Sequence, residues 1–242
     1  MRKNKLKIII FLTMIFVVGA LSTASAEGVK IAVIDSGATG YVDEAVSFTS
    51  YAGNEDPLHH GTVVSKLIRE QAPYSKIYML QVCESGAGHL QPSTEAVKRA
   101  IVWAMENRMN IVNMSLVIQY NVDVDDLITK ASEDYGIIFV GAEGSKTLMN
   151  HFAFDDSGFV TKNKIDALAF PSANKNVISV GGLDESGQLA YYSGRNSDIY
   201  EYGKVFGQEG SSFACARVSG KLAHIINRQG SYSKEKLLAY LK

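Results

Sequence analysis

From residue 30 onward, short blocks of consecutive apolar residues alternate with longer stretches whose apolar residues recur every three or four positions. Residues 30–34 (KIAVI), 76–82 (KIYMLQV), 110–116 (NIVNMSL), 136–142 (GIIFVGA) and 176–182 (NVISVGG) are compact and rich in β-branched side chains, which predicts buried strands. Residues 93–108 open on Ser93 and Thr94 and place Val97, Ile101, Ala104 and Met105 on one face, which predicts a helix. A second helix is predicted over residues 124–136, ending at Gly136, a residue suited to a left-handed cap. Strands alternating with helices imply an α/β fold of three layers, a parallel β-sheet with helices on both faces. In such sheets reactive groups gather at the carboxyl ends of the strands. Residues 143–175 are the one long irregular stretch, and they are expected to form a surface excursion. No internal repeat, low-complexity tract or linker divides the chain.

The first residues break this pattern. Arg2, Lys3, Lys5 and Lys7 precede an almost wholly apolar run over residues 8–20, and Ala24-Ser25-Ala26 supplies small residues for cleavage. That order predicts a secretory signal peptide over residues 1–26, hence a secreted or extracytoplasmic protein. Residues 8–26 are near the lower length limit for a membrane span, and Ser22, Thr23 and Ser25 weigh against a retained anchor. Contact with a membrane is therefore expected only through an uncleaved signal segment.

Removing residues 1–26 leaves 20 basic and 25 acidic residues, a mildly acidic protein. No basic stripe of the kind that binds nucleic acid is present. Two cysteines, Cys83 and Cys215, are too few for a disulfide scaffold, and both are expected to remain free, buried thiols. Metal-ligand spacings and phosphate-binding glycine fingerprints are absent, so neither a metal nor a cofactor is expected.

Three residues carry candidate chemistry. Asp35 ends the first predicted strand, in VIDSG; His60 opens an apolar-periodic run, in HHGTVVSKLI; Ser212 opens another, in GSSFACARVSG. Singly, each has a structural explanation: a turn-capping acid, a surface histidine at a helix start, a small residue permitting close packing. Together they supply a hydroxyl nucleophile, an imidazole to take its proton, and a carboxylate to orient that imidazole.

The segments VIDSG, HHGTVVS, APYSKIYMLQV, AIVWAMENRMNIVNMSL, FPSANKNVISVGGLD and GSSFACARVSG stand in the order found in subtilisin-like serine proteases. From about Val29 to Ala223 the chain resembles that family, and the order Asp, His, Ser is the family's triad order. The resemblance implies a seven-stranded parallel sheet and a compact peptidase domain over residues 27–242. It implies Ser212 as nucleophile, His60 as general base and Asp35 as its orienting partner, acting on a peptide or protein substrate. It also implies that Ser115, Leu116 and Val117 lie beside the substrate backbone.

Departures from the family pattern qualify the expected activity. Gly141-Ala142-Glu143-Gly144 stands where the family has Gly-Asn-Glu-Gly, so Ala142 lacks the side-chain amide that faces the developing oxyanion, and the backbone N–H of Ser212 remains. Removing one such donor costs about 10²–10³ in turnover. A substitute would have to come from residues 145–155, such as Asn150 or His151. Val117-Ile118 and Phe139 stand at the positions flanking the specificity pocket, with Gly141 beside them. They either narrow the cleft or, for Phe139 and Val117, pack together in the core. Ile68-Arg69-Glu70-Gln71 runs directly into Ala72-Pro73 without the calcium-binding excursion of larger members, and no inhibitory propeptide fits between Ala26 and Val29. Two functions follow: an exported serine endopeptidase of narrow specificity, or a catalytically silent relative that binds a peptide or partner through the same cleft.

Overall fold

The computed structural model describes residues 28–52, 54–86, 89–144, 168–230 and 233–241. In chain order the elements are β1 (Lys30–Asp35), β2 (Glu44–Ser47), α1 (His60–Gln71), β3 (Lys76–Gln81), β4 (Cys83–Gly86), β5 (His89–Pro92), α2 (Thr94–Glu106), β6 (Ile111–Met114), α3 (Val122–Tyr135), β7 (Ile138–Ala142), β8 (Val177–Leu183), β9 (Ile199–Tyr202), β10 (Lys204–Val205), β11 (Gln208–Glu209), α4 (Ser211–Gln229) and α5 (Lys234–Leu241). Seven strands form one sheet in the order β2-β3-β1-β6-β7-β8-β9, and β4–β5 and β10–β11 are small separate ribbons. Every neighbouring pair in the main sheet is parallel.

Strand alternation sorts the core into two halves. Ile31, Val33, Ile77, Met79, Val140 and Ile178 point to one face and pack with α1 and α4. Ala32, Ile34, Leu80, Val112, Phe139 and Val177 point to the other and pack with α2 and α3. A period-two strand buried on both faces shows no polar alternation, which is why these segments read as continuous apolar runs. The expected three-layer architecture is present.

Local chemistry sets the helix ends. The Ser93 side chain accepts the Ala96 N–H at the start of α2, and Asn121 accepts the Val124 N–H at the start of α3. Gly136 closes α3 in the left-handed region at φ 67°, where a Cβ would be disfavoured. α4 crosses the middle of its layer on small residues. A Cβ on Gly220 would lie 2.5 Å from Gln71 Cβ and 3.0 Å from the Ile68 carbonyl oxygen, so α1 and α4 touch almost backbone to backbone. At the far edge, Lys234 of α5 donates to the carbonyls of Val177 (2.6 Å) and Lys175 (3.0 Å) and pairs with Asp198 at 3.0 Å, while Leu237 is fully buried.

Two differences from the sequence-based expectation stand out. The strands β2 and β9 were not expected; as sheet edges they are half exposed and short, and their residues lack the apolar run that marks an inner strand. Part of the expected surface excursion lies in the core: Ala169, Phe170, Ser172 and Asn174 are buried. The Phe170 carbonyl accepts the Ile118 N–H at 3.1 Å, and Asn174 Nδ2 donates to Asp125 Oδ1 at 2.7 Å, which ties this turn to the end of β6 and to α3. The predicted signal segment, residues 1–26, lies outside the described residues.

Candidate active site

Asp35 is the last residue of β1 and His60 the first of α1. Asp35 Oδ1 lies 2.8 Å from His60 Nδ1 and also accepts the Ser36 N–H at 2.7 Å. Asp35 is 2% exposed, and its second oxygen, Oδ2, is buried with no donor among the described residues. A carboxylate at Nδ1 assigns the proton to that nitrogen and leaves Nε2 as the acceptor. Burial pulls the imidazole downward, but the charge and hydrogen bond of Asp35, with the charge of Asp56, outweigh it and hold His60 above its ordinary value. The Phe213 ring covers the imidazole at a centroid distance of 5.7 Å.

The join between β1 and α1 is made by residues the sequence reading did not single out. His59, just before α1, is in the left-handed region at φ 55° and gives the helix no side-chain cap. The first helical amides must then find acceptors elsewhere. Gly61 N–H donates to Ser36 Oγ at 3.1 Å, and Thr62 N–H and Oγ1 donate to Asp56 Oδ2 at 2.8 and 2.6 Å. Ser36 Oγ in turn donates to Asp56 Oδ1 at 2.7 Å. The sequence carried no direct sign of this acid, because the need for it arises from the uncapped helix start at His59.

Ser212 is the second residue of α4. Its Oγ donates to the Ser115 carbonyl at 3.0 Å, and Ser115 Oγ donates back to the Ser212 carbonyl at 2.8 Å. Ser115 Oγ also accepts Asn113 Nδ2 at 3.0 Å, and Asn113 Oδ1 accepts from Ser219 Oγ at 2.9 Å and from the Cys215 thiol at 3.3 Å. This buried network was not expected from the sequence. Among the hydrogen bonds of the described residues, none joins Ser212 Oγ to His60. The structure pairs Asp35 with His60, and it brings Ser212 to the same cleft with its hydroxyl turned toward Ser115.

That cleft, about 780 Å³ in volume, is lined by Asp35, His60 and Ser212 together with Ser115, Leu116, Val117 and Ala142. Phe139 and Gly141, both candidates for the substrate cleft, are not part of its lining, and of its two expected places Phe139 takes the core. Phe139 is fully buried because its position in β7 points it into the α2/α3 half of the core, beside Val112 and Val177. Gly141 faces the same way, where a Cβ would lie 2.6 Å from Ser172 Oγ; its smallness serves packing. Val117 therefore stands at the cleft without Phe139 behind it. The Ala142 side chain offers the cleft no donor, and Asn150 and His151 lie outside the described residues.

Beside Ala142, the fully buried Glu143 accepts from Ser193 Oγ, from Gly194 N–H at 2.9 Å and from Ser197 Oγ at 2.6 Å. These bonds fasten the segment carrying Tyr191 and Tyr192 to the cleft rim. Cys83 and Cys215 are free and buried, and burial first, then the charge of Asp35, pushes both thiols up to about 12. Among the described residues no group of three or more His, Cys, Asp or Glu side chains could hold a metal ion.

Comparison with known proteins sets this geometry in context. The model of the subtilase family matches residues 26–242. Among curated relatives, the minor extracellular protease Epr of Bacillus subtilis is 30% identical over 193 residues, covering 72% of this chain and 26% of that protein. A thermostable alkaline protease of Halalkalibacterium halodurans is 24% identical over 237 residues, covering 87% of this chain and 60% of its own length. The chain thus spans about a quarter of the first relative and less than two thirds of the second. Among solved structures, MycP3 protease from the type VII (ESX-3) secretion system aligns at a TM-score of 0.70 with 19% identity, covering 89% of this chain and 76% of its own. A cold adapted subtilisin-like serine proteinase aligns at 0.67 with 21% identity, covering 88% and 80%. At such identities the likeness is one of fold.

Proposed function

Because the chain belongs to the subtilase family, we propose that it is an exported serine endopeptidase that cleaves peptide bonds through an acyl-enzyme formed on Ser212. The observation that carries this reading is the 2.8 Å contact of His60 Nδ1 with Asp35, at the rim of the cleft that also holds Ser212. With Nδ1 engaged, Nε2 is free to take the Ser212 proton as Oγ attacks the scissile carbonyl. Asp35 holds the tautomer and stabilises the imidazolium that forms. The Ser212 N–H, in the first turn of α4, is one of the amides no helix carbonyl can satisfy, and it faces the developing oxyanion at the positive end of the helix dipole. Ala142 adds no second side-chain donor, so turnover is slow, and Val117 and Ile118 in the cleft lining narrow the preference. Export rests on the signal-like residues 1–26, and the extracellular relative from Bacillus subtilis supports it.

A second reading, a silent relative that binds peptides through the same cleft, is favoured by the Ser212 hydroxyl lying on the Ser115 carbonyl. One experiment separates the two. An active-site-directed fluorophosphonate is expected to modify Ser212 of the wild-type protein, and Ser212→Ala or His60→Ala to abolish the modification. Equal labelling of Ser212→Ala would refute the assignment of the nucleophile. No labelling of the wild type over hours would favour the silent reading.

A further inference from the structure

Asp56 is 4% exposed, lies outside the expected triad, and makes more hydrogen bonds than Asp35 does. One oxygen takes the hydroxyl of Ser36, the residue after Asp35; the other takes the amide and hydroxyl of Thr62, two residues after His60. Ser36 completes the circuit, its N–H on Asp35 Oδ1 and its Oγ accepting the Gly61 N–H. Gln81 Nε2 adds a clamp from β3, donating to the carbonyls of Ser36 (2.8 Å) and Glu55 (3.0 Å) on the two sides of the junction. The carboxylate therefore bridges the two short segments whose separation sets the Asp35–His60 contact.

We propose that Asp56 is a second positioning carboxylate of this site: it fixes the end of β1 against the start of α1 so that His60 stays on Asp35. This inference rests on the serine endopeptidase reading for its place in catalysis, but not for its geometry. A simple helix cap would need one oxygen; here the second oxygen reaches the strand that carries Asp35. The charge of Asp56 also acts in the same sense as that of Asp35 in raising His60. The other groups around the imidazole do not compete with this. Asp35 on β1 is its direct partner and α4 presents the apolar Phe213. Cys83 on β4 lines the same cleft as a thiol pushed up to about 12, hence neutral, and Glu209 on β11 lines it beside Gly210 and Ser211.

The test follows His60 itself in the full chain, by the imidazole C–H resonance across a pH series, identified by its loss in His60→Gln. Asp56→Asn keeps the shape and removes the charge, and it should lower the His60 midpoint by roughly half a pH unit or more. Asp56→Glu should restore part of that shift. A folded Asp56→Asn protein with an unchanged midpoint would overturn the charge role, whereas a merely structural cap would predict that result. Should Asp56→Asn fail to fold, Thr62→Val removes the hydroxyl bond to Asp56, along with that hydroxyl's contacts to Thr39, and keeps the carboxylate. The His60 midpoint should then hold, while the low-field Nδ1 proton shared with Asp35 exchanges with solvent about threefold faster or more; unchanged exchange would overturn the positioning role. Neither readout depends on turnover, so a wild-type protein that resists fluorophosphonate would count against the endopeptidase reading alone.

Discussion

At the scale of single residues, the chemistry of the cleft is decided by two side chains, one raised and one lacking. His60 serves as a base only when deprotonated. Burial lowers its affinity for a proton, yet the neighbouring carboxylates more than offset this, so the folded value sits above 6.5. The acid limb of kcat/KM on a peptide or active ester should therefore fall above pH 6.5, with activity rising as pH increases through the raised value. A limb at or below 6.5 would show that His60 is not the base or not paired. Ala142 is the deficient position, at the cleft but without a donor. Ala142→Asn should raise kcat at least about tenfold with little change in KM, because an oxyanion donor acts more strongly in the transition state than on the ground-state carbonyl. No rise in a protein of unchanged melting temperature would mean that another group already serves the oxyanion.

At the scale of elements, the site depends on how closely α1 approaches the end of β1. A Cβ on Gly61 would lie 2.2 Å from the Gly37 carbonyl oxygen, 3.0 Å from Met79 Cε and 3.2 Å from Asp35 Cβ. Helix propensity alone would favour Gly61→Ala by about 1 kcal/mol. The clash with fixed backbone should win instead, destabilising by about 1–3 kcal/mol. It should also slow labelling of Ser212, since the helix start must retreat from Asp35; chemical denaturation with a parallel labelling assay reads both, and a stabilised variant would contradict this packing. Such proximity explains what the sequence disclosed and what it hid. Inner strands and amphipathic helices advertise themselves through their apolar spacing, and Asp35, His60 and Ser212 were legible as candidates at element ends. Asp56, Ser36 and Asn113 were not, because each acts through partners brought near only by the fold, as when Asn113 meets Cys215 and Ser219 across a sequence separation of 102 and 106 residues. The same reason left Phe139 open between cleft and core: the strand was recognised, but which face a residue takes depends on register with neighbours far along the chain.

At the scale of the whole molecule, the direct passage from α1 through Ala72-Pro73 to β3 leaves no room there for an ion-binding excursion. Melting in excess calcium and in chelator should give nearly the same midpoint. A native-state site occupied at one hundred times its dissociation constant would add about 2.7 kcal/mol, so a midpoint several degrees lower in chelator would reveal a site elsewhere. The molecule is also assembled from distant parts of the chain. β1 and α1 supply Asp35 and His60, whereas Ser212 comes from α4, which lies against β6, β7, β8 and β9 and cannot settle until all four exist. A ribosome makes the chain from the other end, at roughly 5–20 residues per second. Until α4 has been made, Asp35 and His60 stand without the hydroxyl of Ser212 in their cleft. The order of the elements along the chain is thus an order of assembly: the pair on β1 and α1 can form early, and the cleft is complete only after α4 has been made and has docked.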